Sequence, residues 1–229
     1  MSRVLINGSS RGIGLELAKQ YAANRDDVIA CVRDASAASQ LDEAASGADN
    51  ITIVEMDAGD PASIAAAAAS IGDGAIDTVI NNAGAVGGGR QAIDDLDIEE
   101  WHRSLNVNTI GPLLVARAFK PNLAASGDGK LLIVTSQLAA STWPMGGMYI
   151  YSTTKAGVSK VGQILALDWK ADPITVALMH PGWVQTDMGG PSAEITAEES
   201  ASGIRSVIAG LTKADSGNFY KWNGDIHPW

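Results

Sequence analysis

The sequence predicts an α/β fold: a single domain built on one doubly wound parallel sheet with helices on both faces. Short β-branched runs alternate along the chain with longer helical patterns. Such alternation implies parallel strands joined by right-handed crossovers. Several of the runs are apolar almost throughout, as strands covered on both faces must be. A glycine-rich turn then joins the first run to the first helical stretch. No proline- or serine-rich linker divides the 229 residues, so residues 1–229 read as one unit.

Strands are expected over 3–7, 27–32, 51–56, 78–81, 130–135 and 174–179. Helices are expected over 13–23, 35–45, 61–70, 99–119, 151–168 and 197–211. The alanine-rich run 63–70 reads as helix because alanine is the best helix former, with Asp60-Pro61 supplying an N-cap and a first-turn proline.

Apolar residues make up 46% and charged residues 18%, a globular balance. The net charge of −10 argues against nucleic acid and against an anionic membrane surface, because both need a cationic face. A bound phosphate must therefore be held by backbone amides and a few placed arginines. No stretch of about 18 apolar residues offers a membrane span, and the start reads as a strand, not a signal peptide. Cys31 is the only cysteine, and His102, His180 and His227 are too dispersed for metal-ligand spacing. No metal is expected, and a cytoplasmic protein is.

The first strand enters Asn7-Gly8-Ser9-Ser10-Arg11-Gly12-Ile13-Gly14 and then a helix. Glycine is needed where chain turns tightly, where backbone approaches a pyrophosphate and where helix meets strand. The helix N-terminus offers free N–H groups and a positive dipole end. A dinucleotide cradle on a Rossmann-type sheet is the reading.

Tyr151 and Lys155 lie four apart at the start of a helical pattern, on one face. A positive charge beside a phenol favours its ionised form. Alone, such a pair is a common surface pattern. Ser136, however, closes a strongly β stretch and should emerge at the carboxyl edge of the sheet, where open α/β folds bind ligands. Asn81-Asn82-Ala83-Gly84 ends the fourth strand at that edge, Asn108 lies in the long helix that follows, and Pro181-Gly182-Trp183-Val184-Gln185-Thr186 leaves the sixth strand.

These features together, in this order, resemble the short-chain dehydrogenase/reductase family. Its loop usually begins with threonine where Asn7 stands. The resemblance implies an oxidoreductase that moves hydride between a nicotinamide and a carbonyl or alcohol, with Tyr151 as proton donor and acceptor. Ser136 would polarise the substrate oxygen, and Lys155 would hold the nicotinamide ribose and lower the Tyr151 pKa. Asn108 would anchor a water relaying protons to Lys155. Gly8, Ser10, Arg11, Gly12, Ile13 and Gly14 would cradle the cofactor. Asp57 and Ala58 would face its adenine, and Asn82, Ala83 and Gly84 its adenosine ribose. Pro181, Gly182 and Val184 would also bind the cofactor, and Thr186 would hold the nicotinamide carboxamide. Ser136 and Tyr151 are fifteen apart, about two more than in many members, which implies a longer substrate-side loop; Ser141 is the alternative serine.

For the cofactor, an acid at the end of the second strand would bind the ribose of NAD and repel the phosphate of NADP. Val32 stands there, followed by Arg33, with Arg11 in reach. Two guanidiniums suit one phosphate, so NADP(H) is favoured. Asp34 keeps NAD(H) open. The segments 180–190 and 216–229 resemble the C-factor and sniffer-type carbonyl reductase branch. That branch also leaves open a cofactor-binding signalling or regulatory protein in which turnover is secondary. Trp143 and Trp183 either line the substrate pocket or fill the core or a subunit contact. Partners are a small-molecule carbonyl or alcohol and, by resemblance, a second copy in a dimer or tetramer, with a monomer left open.

Overall fold

The computed structural model describes residues 1–229. Seven strands form one wholly parallel sheet: β1 (Arg3–Asn7), β2 (Asp27–Val32), β3 (Ile51–Glu55), β4 (Thr78–Asn81), β5 (Gly129–Val134), β6 (Ile174–His180) and β7 (Phe219–Lys221). They lie in the order β7-β6-β5-β4-β1-β2-β3. The chain runs outward from β1 to β3, returns to β4 beside β1, and runs outward the other way. Strand order thus reverses between β1 and β4, where sheets of this kind open a ligand crevice at their carboxyl ends.

The helices are α1 (Gly12–Ala23), α2 (Ser39–Ser46), α3 (Pro61–Ile71), α4 (Ile98–Leu105), α5 (Gly111–Ala125), α6 (Tyr149–Asp168) and α7 (Ala197–Gly210). Period-two alternation sends Val4 and Ile6 of β1 to one face, with Leu17 of α1 and Ile204 of α7. Leu5 goes to the other, with Phe119 of α5 and Val158 and Leu165 of α6. Burial on both faces explains the apolar runs; β3, at the sheet edge, keeps Thr52 and Glu55 exposed. Asp60 caps α3 through the Ala62 amide at 2.9 Å, ahead of Pro61.

The structure corrects several boundaries. β7 was not expected: three residues without a β-branched run carry little strand pattern, yet Phe219 is buried beside β6. The helix expected over 35–45 is α2, preceded by a separate 3-10 turn at Ala35–Ala37. The helix expected over 99–119 is α4, a π segment at Asn106–Ile110, and α5. Pro112 accounts for the irregularity, since it has no N–H for the Asn108 carbonyl one turn earlier. α5 continues past Pro121, and the carbonyl deprived of a partner there belongs to exposed Arg117. No helix is long and apolar enough to cross a membrane.

Candidate active site

Asn7 locks the switch point. Its Oδ1 accepts from the Asn82 and Ala83 amides at 2.7 Å each, and its Nδ2 donates to Asn81 Oδ1 at 2.8 Å. Asn82 Nδ2 returns a bond to the Gly8 carbonyl at 3.1 Å. The residue standing in place of threonine thus ties the glycine loop to the end of β4. Gly8 has φ +72° and Gly12 +55°, conformations that L side chains rarely adopt. Gly14 packs on the Gly8 carbonyl and on Asn82, leaving no room for a Cβ. The α1 N-terminus carries no side-chain cap, so its first amides remain available to an anion.

Around this loop, Ser10, Gly12 and Ile13 are half-buried. Arg11 is exposed and pairs with Asp187 at 2.9 Å. Val32 is buried in the core, which makes Arg33 the first exposed residue after β2, and Arg33 forms no ion pair. Asp34 is exposed and bonds back to its own chain: its carboxylate accepts from the Ser36 amide at 2.9 Å and the Ser36 hydroxyl at 2.6 Å, which holds it below the usual carboxylate range. Asp57 accepts from the Gly59 amide at 2.8 Å, while Ala58 is buried against Gly111.

The four expected catalytic residues converge. Ser136 follows β5, is 6% exposed, and accepts from the Leu138 amide at 3.2 Å. Ser141 is exposed in the loop before α6, whereas Ser136 bonds with the Tyr151 phenol. Tyr151 lies in the first turn of α6, which begins at Tyr149, and Lys155 Nζ sits 6.0 Å from its ring centroid. A Cβ built on Gly84 would lie 3.3 Å from Lys155 Nζ and 3.4 Å from Asn108 Oδ1. Asn108 is fully buried. It exchanges two 2.8 Å bonds with the Ala85 backbone and donates to Thr154 Oγ1 at 2.9 Å.

Burial governs the charges here. It depresses Lys155 from 10.5 to about 8, while its ammonium donates to the Val134 carbonyl at 2.9 Å. Burial also raises the Tyr151 phenol above 10.0, against a lowering hydrogen bond with Ser136. The expected depression of Tyr151 by Lys155 is therefore not the dominant effect, because the ammonium is itself desolvated and turned to a carbonyl.

On the far side, Gly182 has φ +93° and packs on Ile195 and Trp222, Pro181 accepts from Ser200 Oγ at 2.6 Å, and Val184 is buried. Thr186 lies against Gly12: a Cβ there would meet Thr186 Cγ2 at 3.1 Å. Trp143 and Trp183 are 43% and 46% exposed, so neither fills the core. His180 is buried and packs edge-on to His227, with its Nδ1 unpartnered. Burial holds it near 4, hence neutral, and no three-ligand metal cluster forms.

Thr154 and Gln91 were not anticipated. Thr154 donates to the Tyr151 carbonyl at 2.9 Å, and Gln91 Oε1 accepts from the Tyr151 amide at 3.1 Å. Thr154 could have been suspected from its place beside Lys155. Gln91 carries no such signal.

A sequence profile of the short chain dehydrogenase family matches residues 2–196. The chain is 38% identical over 165 residues to the C-signal of Myxococcus xanthus, covering 71% of this chain and 98% of that protein. It superposes on an NADPH-bound carbonyl reductase from chicken fatty liver with a TM-score of 0.92 at 31% identity, over 100% of this chain and 99% of the other. The carbonyl reductase Sniffer of D. melanogaster gives 0.93 at 28% identity, with 100% of both chains covered. With its loop, strand-edge serine and tyrosine–lysine helix in the family's arrangement, the chain belongs to the short-chain dehydrogenase family of oxidoreductases.

Proposed function

We propose that the protein is an NADP(H)-dependent oxidoreductase that reduces a carbonyl to an alcohol with Tyr151 as acid and base. The observation that carries this reading is a connected cluster: Lys155 and Asn108 meet at Gly84, Lys155 lies 6.0 Å from the Tyr151 ring, and the Tyr151 phenol bonds with Ser136. The residues fit a nicotinamide dinucleotide. A Cβ on Gly12 would fill the gap to Thr186, one on Gly84 the gap to Lys155, and the α1 amides are free for a pyrophosphate. When bound, that cofactor supplies or accepts the hydride.

The chain's own residues supply the proton and the placement. Ser136 donates to the substrate oxygen and Tyr151 protonates it as the negative charge grows. A phenol raised by burial stays protonated at neutral pH, the form needed for reduction. Lys155, held against Val134 and beside Gly84, would reach the ribose and shuttle protons to Tyr151. Asn108 has its side chain fully committed, but its main-chain carbonyl faces Pro112 one turn on, which cannot donate. That carbonyl is the one that would hold the relay water. Exposed Ile110 and Leu113 around the start of α5, and Ile164 and Leu167 near the end of α6, support a homo-oligomer, and the lone buried thiol of Cys31 suits a cytoplasmic setting.

Preference for NADP(H) rests on Arg33, since Asp34 is occupied by Ser36 and Val32 is buried. NADPH is expected to bind more tightly than NADH. Arg33→Ala should weaken NADPH by roughly ten- to a hundredfold, the worth of one charge-assisted hydrogen bond of about 1.5–3 kcal/mol, and leave NADH unchanged. Isothermal titration decides it: equal wild-type affinities would make Arg33 a bystander. The C-signal likeness favours a second reading, a signalling protein in which turnover is secondary. It predicts cofactor binding without carbonyl turnover.

A further inference from the structure

We propose that Gln91 is a positioning residue that fixes the first turn of α6 and thereby the Tyr151 phenol. The inference rests on Tyr151 being the acid and base.

The first amides of a helix have no carbonyl one turn earlier and need outside acceptors. In α6 the preceding residue, Met148, sits in the left-handed region (φ +51°) and offers no side-chain cap. The Tyr151 amide is met instead by Gln91 Oε1, sixty positions away in sequence. Gln91 is 7% exposed, and its Nε2 donates to the Val86 carbonyl at 2.8 Å and the Gly88 carbonyl at 3.2 Å. One amide thus joins the loop after β4 to the catalytic helix.

That loop is fastened at both ends. Asn108 clamps Ala85 and reaches Thr154, the second turn of α6, while Gln91 reaches Tyr151, the first. Between them Gly87, at φ +89°, packs so closely on Ile150 that a Cβ would lie 2.5 Å from Cγ2. Gln91 is itself held by a short antiparallel hairpin, Gln91–Ala92 with Asp95–Leu96, pinned by Arg90 to Asp97 at 2.8 Å. Lys155 has independent anchors, Val134 and the Thr135 hydroxyl on its carbonyl. The Tyr151 main chain is tied by the Gln91 bond and by Thr154 of the same helix, and its phenol meets Ser136. Gln91 is thus the side-chain tie between the Tyr151 main chain and the loop after β4, while Ser136 meets the phenol itself.

The test is Gln91→Met, which keeps volume and removes all three bonds. The phenol is followed in the unliganded protein by the carbon-13 shift of Tyr151 Cζ, assigned by its loss in Tyr151→Phe. The expected result is kcat lower by roughly 10- to 100-fold, the scale of an ångström's misplacement. KM and cofactor affinity should change little, and the phenol should move down toward 10.0 as the turn loosens and water enters. Gln91→Glu keeps an acceptor for the Tyr151 amide but brings a negative charge, so it should hold more kcat than Gln91→Met and push the phenol further up. If Gln91→Met fails to fold, the Gln91→Glu titration decides alone. An unmoved phenol in the variant that folds, with kcat near wild type, overturns the proposal. An active Tyr151→Phe would instead overturn the reading beneath it.

Discussion

Tyr151→Phe is expected to lower carbonyl reduction by about 100- to 10,000-fold, the contribution of a positioned general acid, with cofactor affinity nearly unchanged. The substitution removes one hydroxyl and almost no volume. The ring stays in the first turn of α6 and Lys155 keeps its bond to Val134. Only the transferable proton is lost. Steady-state rates beside a cofactor titration check it. A variant that keeps more than about a tenth of wild-type turnover, short of even the low end of general-acid catalysis, would remove Tyr151 from the mechanism.

Lys155→Met is expected to abolish turnover and yet stabilise the protein at neutral pH. Lys155 titrates near 8 when folded and at 10.5 when unfolded. The unfolded chain therefore binds more protons between those values, and wild-type stability rises with pH across that window. Below about 8 the burial cost is fully present, roughly 3 kcal/mol at about 1.4 kcal/mol per pH unit. Methionine fills the same space without charge. The orphaned Val134 carbonyl takes back about 1 kcal/mol, leaving a net gain of roughly 2 kcal/mol at neutral pH. Urea midpoints from neutral pH to 10.5 should climb for wild type and stay level for the variant. A variant less stable at neutral pH, or one that climbs as steeply, would show that the ammonium is not buried at this cost.

The fold was legible wherever the chain repeats a pattern. Apolar runs marked β1, β2, β4, β5 and β6 because both faces of the sheet are covered. β7 was missed because its place depends on β6 beside it, not on its own three residues. The π segment was hidden in plain sequence: Pro112 forbids the regular bond, but a helical pattern alone does not say how the chain absorbs the fault. At the site, Tyr151 and Lys155 were readable from helix spacing, and Ser136 from its place after a strand. Gln91 was not, because its role comes from a loop folding back sixty positions to a backbone amide. Arg11 was assigned by charge and reach, but its ion pair with Asp187, on a loop far along the chain, carries no signal in the sequence. Asp34, ambiguous in sequence, bonds to Ser36 two residues on, a local contact that the order of residues does not announce.

In the proposed reaction the chain delivers hydride from NADPH to a carbonyl while Tyr151 delivers the proton. The most direct measurement incubates the protein with NADPH deuterated at the transferable position and a panel of ketones, aldehydes and quinones, then weighs the products by mass spectrometry. An alcohol carrying one deuterium on its former carbonyl carbon is expected with wild type, and at least about a hundredfold less of it with Tyr151→Phe. Tight NADPH binding with no deuterated product from any carbonyl would contradict it and leave the signalling reading in its place.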